Sequence, residues 1–258
     1  MINQISKLAC TFFVLLSSLI TFAQSADDGF SSSSFSGSNG LVMPFRFHSP
    51  SMEVRTAIPL IIYLHGAGGW GTDNVRQISG GNTHGTRLWL KPEIAAENPA
   101  YVMAPQIPSP QQWGASGSEE LSPYADVLME LIDQMKSEFL IDESRLYIMG
   151  QSLGGIGVWD IVAKRPDIFA AGVPVCGVGN TDRIVNARDV ALWAFHGAMD
   201  TTVPVAGSRE MVTSLEVAKG DIRYTEYLDV GHNSWERAFA DPELPHWLFS
   251  NVRGQSRN

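Results

Sequence analysis

The run Leu146-Tyr147-Ile148-Met149-Gly150-Gln151-Ser152-Leu153-Gly154-Gly155 joins two different patterns of structure within ten residues. Its first four residues are apolar without alternation, which is typical of a strand buried on both faces. A predicted helix follows directly, from Leu153 to Lys164. It ends there because the residue before Pro166 disfavours helical geometry. Ser152 therefore lies on a sharp turn, where a Cβ at positions 150 or 154 would collide with the adjoining strand or helix. The plain alternative is a strand–helix turn with an incidental serine.

Further apolar runs and amphipathic stretches alternate along the chain. The predicted strands are residues 58–64, 101–104, 145–149, 169–176, 191–195 and 222–228, and the other predicted helices are residues 122–139 and 207–219. Strands that alternate with helices predict an α/β fold, a doubly wound and mostly parallel sheet flanked by helices. Such sheets carry their sites at the carboxyl ends of the strands, so a candidate catalytic residue should directly follow a strand.

Two further residues meet this condition. Asp200 follows the strand 191–195, and His232 follows the strand 222–228. A serine hydroxyl becomes a useful nucleophile when a histidine takes its proton and a carboxylate orients that histidine. The chain order serine, acid, histidine suits this fold. Taken singly, Asp200 is also compatible with a turn aspartate and His232 with a loop histidine. His196 is expected to be a structural residue that packs beneath the loop carrying Asp200, called the acid loop below.

Acyl transfer also requires donors for a tetrahedral oxyanion. One predicted donor is the backbone N–H of Leu153, the residue after the candidate nucleophile. The other comes from the run His65-Gly66-Ala67-Gly68-Gly69, where Ala67 is the first choice and Gly68 the reserve. The same run also fits a glycine-rich turn that needs positive φ, and the two interpretations are compatible.

Four motifs together resemble a known group of proteins. They are Leu64-His65-Gly66-Ala67-Gly68-Gly69, Gly150-Gln151-Ser152-Leu153-Gly154-Gly155, Ala194-Phe195-His196-Gly197-Ala198-Met199-Asp200 and Gly231-His232-Asn233-Ser234-Trp235. The sequence resembles the dienelactone-hydrolase and prolyl-oligopeptidase-like esterases of the α/β-hydrolase superfamily, often described as predicted peptidases, and is similar to feruloyl and acetyl esterases. The resemblance implies ester hydrolysis through an acyl-enzyme, no metal or organic cofactor, and the roles of nucleophile, acid and base for Ser152, Asp200 and His232.

Three tryptophans lie in loops expected at the catalytic face: Trp70, Trp113 and Trp235. Their rings could line a substrate-binding surface and stack on an aromatic or sugar-bearing ester. The alternative for each is that it packs its own loop. No long insertion separates the predicted strands 169–176 and 191–195, so we expect no large lid. An open site favours small-molecule or polysaccharide-borne esters.

The N-terminus is interpreted as a secretory signal peptide over residues 1–25. Lys7 precedes an apolar stretch over residues 8–22, and small residues follow; an uncleaved anchor is the alternative. We expect a secreted or periplasmic protein without a stable membrane anchor after cleavage. Residues 26–40 are predicted as a flexible Ser/Gly-rich lead-in, and residues 41–258 as the catalytic domain.

Charge and cysteine content constrain the partners. The formal net charge of −9 argues against a nucleic-acid partner. Of the two cysteines, Cys10 falls in the predicted signal peptide, so no intramolecular disulfide is expected. Two functions besides an esterase stay open: a serine peptidase, and a catalytically silent binding protein on a hydrolase fold.

Overall fold

The computed structural model describes residues 20–23, 28–115 and 117–255. Within them lies one eight-stranded sheet of order β1-β2-β4-β3-β5-β6-β7-β8. The strands are β1 Ser31–Ser36, β2 Val42–His48, β3 Ile58–Leu64, β4 Tyr101–Pro105, β5 Ile141–Gln151, β6 Ala171–Val175, β7 Ala191–Gly197 and β8 Ile222–Tyr227. Strand β2 is antiparallel to β1 and β4, and all other neighbouring strands are parallel. The predicted α/β fold with a mostly parallel sheet is confirmed.

Helices cover both faces of this sheet. They are α1 Thr83–Arg87, α2 Pro92–Glu97, α3 Pro123–Glu138, α4 Leu153–Lys164, α5 Val205–Val217, α6 Trp235–Ala238 and α7 Glu243–Ser250. Helix α3 begins where Ser122 caps it, since the Ser122 hydroxyl accepts a hydrogen bond from the N–H of Ala125 at 3.1 Å. The connection from β6 to β7 contains one 3₁₀ turn, Ile184–Ala187, and no large lid, as predicted.

The N-terminal region differs from the prediction. Residues 26–40 were expected to form a flexible lead-in, but Ser31–Ser36 form β1 and pair with β2, with Ser31 opposite Phe47. Strand pairing uses backbone groups, so a serine-rich sequence can join a sheet when neighbouring apolar residues anchor it. Phe30 provides this anchor, because its side chain is fully buried. The folded domain therefore begins before residue 41.

The predicted signal peptide lies mostly outside the described residues. Of that segment, residues 20–23 are described: the ring of Phe22 stacks on that of Phe47 at 5.4 Å, and Ala23 forms an isolated bridge with Ser32. Among the helices that the structure describes, none has both the length and the apolar character needed to cross a bilayer.

A buried ion pair fixes the loop between β4 and α3 onto α4. Lys164 Nζ lies 2.8 Å from Asp160 Oδ2, and the two side chains are 4% and 1% exposed. The same carboxylate oxygen accepts the N–H of Ala115 at 2.9 Å, and Lys164 donates to the carbonyl oxygens of Ala115 and Glu120. Lys164 is thus fully hydrogen-bonded, and the Asp160 carboxylate is compensated through Oδ2, while its buried Oδ1 has no hydrogen-bond partner among the described residues.

Replacing Lys164 by methionine is expected to lower the free energy of unfolding by about 3–5 kcal/mol, because it leaves the carboxylate of Asp160 buried without its partner. Chemical denaturation measures the change. The matched control is Lys136→Met, which breaks ion pairs to the exposed Asp133 and Glu143 and should cost less than about 1 kcal/mol. Equal losses in the two variants would contradict a special role for the buried pair.

Candidate active site

Ser152 occupies a strained turn between β5 and α4. Its backbone has φ 53° and ψ −116°, in a region that residues with a side chain rarely adopt. The turn packs so closely that a Cβ on Gly154 would lie 1.9 Å from the carbonyl oxygen of Leu64. A Cβ on Gly155 would lie 2.3 Å from the carbonyl oxygen of Val175. A Cβ on Gly150 would lie 2.7 Å from the backbone of Gly154 and from the carbonyl oxygen of Leu64, so the predicted need for glycine at positions 150 and 154 is confirmed.

The structure brings Ser152, His232 and Asp200 together. His232 Nε2 lies 2.9 Å from Ser152 Oγ, and His232 Nδ1 lies 2.7 Å from Asp200 Oδ2. A carboxylate only accepts, so Nδ1–H donates to Asp200 and Nε2 is left to accept the proton of the Ser152 hydroxyl. The side chain of Asp200 is fully buried, whereas that of His232 is 22% exposed. The imidazole is therefore held from the inside and is open to substrate from the outside.

Asp200 is kept ionised by its hydrogen bonds. Burial acts to raise the pKa of Asp200, but the bond from His232 and those from the backbone N–H groups of Val203 and Thr202 lower this pKa below its ordinary value. The two N–H groups reach Oδ1 at 2.9 and 2.8 Å, which leaves Oδ2 free to face His232. The loop after β7 thus orients one carboxylate oxygen of Asp200 toward His232.

A second histidine contacts the same carboxylate oxygen. His196 Nε2 lies 3.2 Å from Asp200 Oδ2 and 2.9 Å from the carbonyl oxygen of Val203, and its Nδ1 lies 2.8 Å from Ser208 Oγ. Its burial beneath the acid loop agrees with the sequence interpretation. The contact of His196 with this oxygen is not among the sequence-based predictions. The four-residue spacing of His196 and Asp200 across the end of β7 is the signal that could have indicated it.

The loop after β3 offers the second candidate oxyanion donor. Ala67 begins a 3₁₀ turn, Ala67–Gly69, and Leu153 begins α4, so both N–H groups lie at starts of helical turns. In the described part of the chain, neither N–H has a hydrogen-bond acceptor. The loop is held in place by Asn82, whose Oδ1 accepts the N–H of Gly66 at 3.0 Å. Both candidate donors are therefore free to bind an oxygen.

His65 supports this loop from the core. Its side chain is fully buried, Nε2 accepts the N–H of Ile107 at 3.1 Å, and Nδ1–H donates to the carbonyl oxygen of Gly66 at 2.7 Å. Burial lowers the pKa of His65 to about 4, against the raising effect of the bond to Gly66. The ring is therefore neutral at neutral pH, in the tautomer that both contacts require.

The stability of the protein is expected to fall as the pH decreases from about 6.5 to about 4. Over this range the unfolded chain protonates His65, whereas the folded protein, with its pKa near 4, does not. The loss attributable to this residue is of the order of 3 kcal/mol. Denaturation across this range should show a weaker pH dependence in His65→Gln, whose amide can accept from Ile107 but does not titrate. An unchanged pH slope in the variant would contradict the assignment.

The three tryptophans predicted to contact substrate lie in different environments. The ring of Trp235 lies edge-on to that of His232, with centroids 5.3 Å apart. Trp70 is half-buried, and its Nε1 donates to the carbonyl oxygen of Gln111 at 2.8 Å. Trp113 is fully buried and donates to the carbonyl oxygen of His65 at 3.2 Å. The prediction that Trp113 contacts substrate is therefore wrong, because its loop packs against α4 and turns the ring into the core.

Among the described residues, one group of side chains has the composition of a metal site: Cys176, Asp200 and His232. Cys176 contributes a thiol whose sulfur lies within 4.8 Å of ligand atoms of Asp200 and His232. Burial raises the pKa of the Cys176 thiol to about 12, so the thiol is protonated at neutral pH in the metal-free chain. Asp200 and His232 are meanwhile hydrogen-bonded to each other. The chemistry of this cluster fits a proton-transfer site better than a metal centre.

Comparison with known proteins agrees with this geometry. The prolyl oligopeptidase family model matches residues 112–193. A thermostable esterase of known structure superposes with a TM-score of 0.82 at 32% identity, covering 88% of this chain and 64% of that one. The fold is that of the α/β-hydrolases, and the proteins similar to this chain include esterases. The resemblance predicted from the four motifs is confirmed.

Two curated proteins are also similar in sequence. The bifunctional acetylxylan esterase/xylanase of Neocallimastix patriciarum is 27% identical over 144 residues, and poly(3-hydroxyalkanoate) depolymerase C of Paucimonas lemoignei is 29% identical over 166 residues. The matches cover 55% and 56% of this chain, but only 19% and 33% of those proteins. A feruloyl esterase module from Clostridium thermocellum, complexed with sinapinate, shares the fold at 13% identity, with a TM-score of 0.65 over 96% of this chain and all of that one.

Proposed function

We propose that this chain hydrolyses carboxylic esters, with Ser152 as nucleophile, His232 as general base and Asp200 as the orienting acid. The observation that carries the proposal is the continuous hydrogen-bonded path from Ser152 Oγ through the imidazole of His232 to the buried carboxylate of Asp200, at 2.9 and 2.7 Å. Such a path can move a proton from the hydroxyl to the imidazole while the carboxylate stabilises the resulting cation.

The reaction then proceeds in two halves. Ser152 Oγ attacks the ester carbonyl carbon as His232 takes the proton of the serine hydroxyl. The carbonyl oxygen then accepts hydrogen bonds from the N–H groups of Ala67 and Leu153. The carbon–oxygen bond to the alcohol breaks, and His232 returns the proton to the leaving oxygen. Water, activated by the same histidine, then attacks the acyl-enzyme and releases the acid and free Ser152.

We propose a small-molecule or polysaccharide-borne ester as substrate. The similarity to an acetylxylan esterase and to a polyester depolymerase supports this class. The partial exposure of His232 supports it as well, since a substrate attached to a polymer must reach the imidazole without entering a closed cavity. Trp235 and Trp70 are proposed to contact the substrate.

Secretion to the periplasm or the exterior is part of the proposal. It rests on the signal-peptide pattern of residues 1–25, in which Lys7 precedes an apolar stretch and small residues follow.

A serine peptidase is the second candidate, because the matching family model is that of the prolyl oligopeptidases. The same three side chains could cleave an amide. An amide is the harder substrate, since its amine must be protonated before it can leave. Comparing ester and peptide substrates therefore decides between the two activities.

Replacing Ser152 by alanine should lower kcat on short p-nitrophenyl esters by roughly 10⁵- to 10⁶-fold and abolish labelling by a fluorophosphonate. Ser137→Ala, on the exposed side of α3, is the matched control and should retain both. Wild-type cleavage of a peptide amide faster than of the ester would favour the peptidase. Residual ester hydrolysis in Ser152→Ala equal to that of the wild type would contradict the nucleophile, and an inert, unlabelled wild type would favour a silent binding protein.

Replacing Asp200 by alanine should lower kcat by about 10⁴-fold, less than the loss in Ser152→Ala or His232→Ala. The acid orients the base and stabilises its charge, whereas the other two side chains exchange the proton directly. Steady-state kinetics of the three purified variants provide the ranking. A loss in Asp200→Ala as large as that in His232→Ala would argue against a purely orienting role.

A further inference from the structure

His196 lies where the loop after β6, the acid loop and helix α5 meet. Its side chain is fully buried, four residues before Asp200, and Ser208 in the first turn of α5 is fully buried as well. Ser208 Oγ lies 2.8 Å from His196 Nδ1 and 2.8 Å from the carbonyl oxygen of Gly177, in the loop after β6. The imidazole of His196 is therefore anchored at Nδ1 by a side chain that also contacts a third part of the chain.

The contacts of His196 determine which ring nitrogen carries the proton. Burial lowers the pKa of His196, against the raising effects of its bonds to Val203 and Asp200, so the ring is neutral at neutral pH. Nε2 lies 2.9 Å from the carbonyl oxygen of Val203 and 3.2 Å from Asp200 Oδ2, and both of these oxygens can only accept. The proton is therefore on Nε2. Nδ1 and the carbonyl oxygen of Gly177 are then two acceptors for the single proton of the Ser208 hydroxyl.

The Nε2–H group of His196 connects the backbone of the acid loop to the carboxylate of Asp200. Rotation of the Asp200 side chain would break the contact of Oδ2 with His196 as well as its 2.7 Å contact with His232. Because the His196 ring is neutral, it stabilises the carboxylate without placing a second cation beside the imidazolium that forms on His232 in the proposed reaction. A protonated ring at this position would repel that imidazolium.

We infer that His196 is a positioning residue for hydrolysis: its Nε2–H holds Asp200 Oδ2 in the orientation that faces His232. This inference rests on the proposed ester hydrolysis and assigns His196 a role beyond packing. A residue with this role affects the rate only through Asp200, whereas a residue that merely packs the acid loop affects the folded structure whether or not the carboxylate is present. The effect should fall on kcat rather than KM, because Asp200 supports the proton transfer and not the binding of the ester.

The test compares two substitutions of His196 that differ in reach. The side chain in His196→Asn is too short to contact Asp200, whereas that in His196→Gln can place an amide N–H near the position of Nε2. On a short p-nitrophenyl ester, His196→Asn should lower kcat by about 10- to 100-fold and change KM by less than about threefold. His196→Gln should keep kcat within about threefold of the wild type. In the Asp200→Ala background, His196→Asn should lower kcat no further, since its effect requires the carboxylate.

The matched control is His246→Asn, at an exposed position on α7, which should retain the kcat of the wild type. Thermal unfolding of each variant identifies losses caused by misfolding. If His196→Asn does not fold, Ser208→Ala provides the test, since it removes the anchor at Nδ1 and should lower kcat only when Asp200 is present. No loss of kcat in His196→Asn, or an equal fold-loss with and without Asp200, overturns the positioning role and leaves ester hydrolysis intact. A wild type inert on every ester overturns both proposals.

Discussion

The packing of the Ser152 turn against the end of β3 is the constraint on which the site depends. Gly154 approaches the carbonyl oxygen of Leu64 so closely that any Cβ there would lie 1.9 Å from it. The same Cβ would lie 3.0 Å from the carbonyl oxygen of His65, so the start of α4 packs against the beginning of the loop that carries Ala67. The strained backbone of Ser152 is stabilised by regular bonds on both sides, from its N–H to Val175 and from Ile156 to its carbonyl, each 2.9 Å. Strand ends and a helix start, rather than flexible side chains, thus determine where an oxyanion could bind.

The other half of the site is assembled by equally close backbone contacts. A Cβ on Gly197 would lie 2.2 Å from the carbonyl oxygen of Gly231, so the loop after β7 and the loop after β8 touch directly. Asp200 and His232 therefore meet although they are separated by 32 residues. His196 adds a further contact to Asp200 Oδ2 from below. The carboxylate lies between two imidazoles, and the two backbone N–H groups on its other oxygen limit its rotation. A side chain held at four points loses little entropy when a substrate binds.

The sequence was sufficient to predict features that depend on local pattern. Unbroken apolar runs identified the central strands, and the glycines around Ser152 identified a tight turn, because both reflect backbone geometry over a few residues. It was insufficient where burial depends on distant partners. Ser31–Ser36 lacks the apolar alternation of a strand, yet Phe30 and the pairing with β2 recruit it to the sheet. Trp113 lies in a loop near the site, but the contact with α4 that buries it involves Gly157, more than forty positions away. No spacing rule relates those two positions.

The side chains around the site differ in how strongly buried hydrogen bonds constrain them. The buried side chains of Tyr63 and Asn82 connect Gln151 to the loop at Gly66. Asn82 Oδ1 accepts the N–H of Gly66, and the Tyr63 hydroxyl lies 2.7 Å from Gln151 Oε1 and 3.3 Å from Asn82 Oδ1. Removing any member of such a network leaves a buried polar group unpaired, so these residues have little freedom to change. Trp235, by contrast, is half-buried at the start of the short helix α6, whose backbone carries neither of the proposed oxyanion donors. Loops supported by a rigid scaffold can alter their side chains at low cost in stability. Substitutions at such positions should therefore be tolerated more readily than substitutions in the hydrogen-bonded path from Ser152 to Asp200.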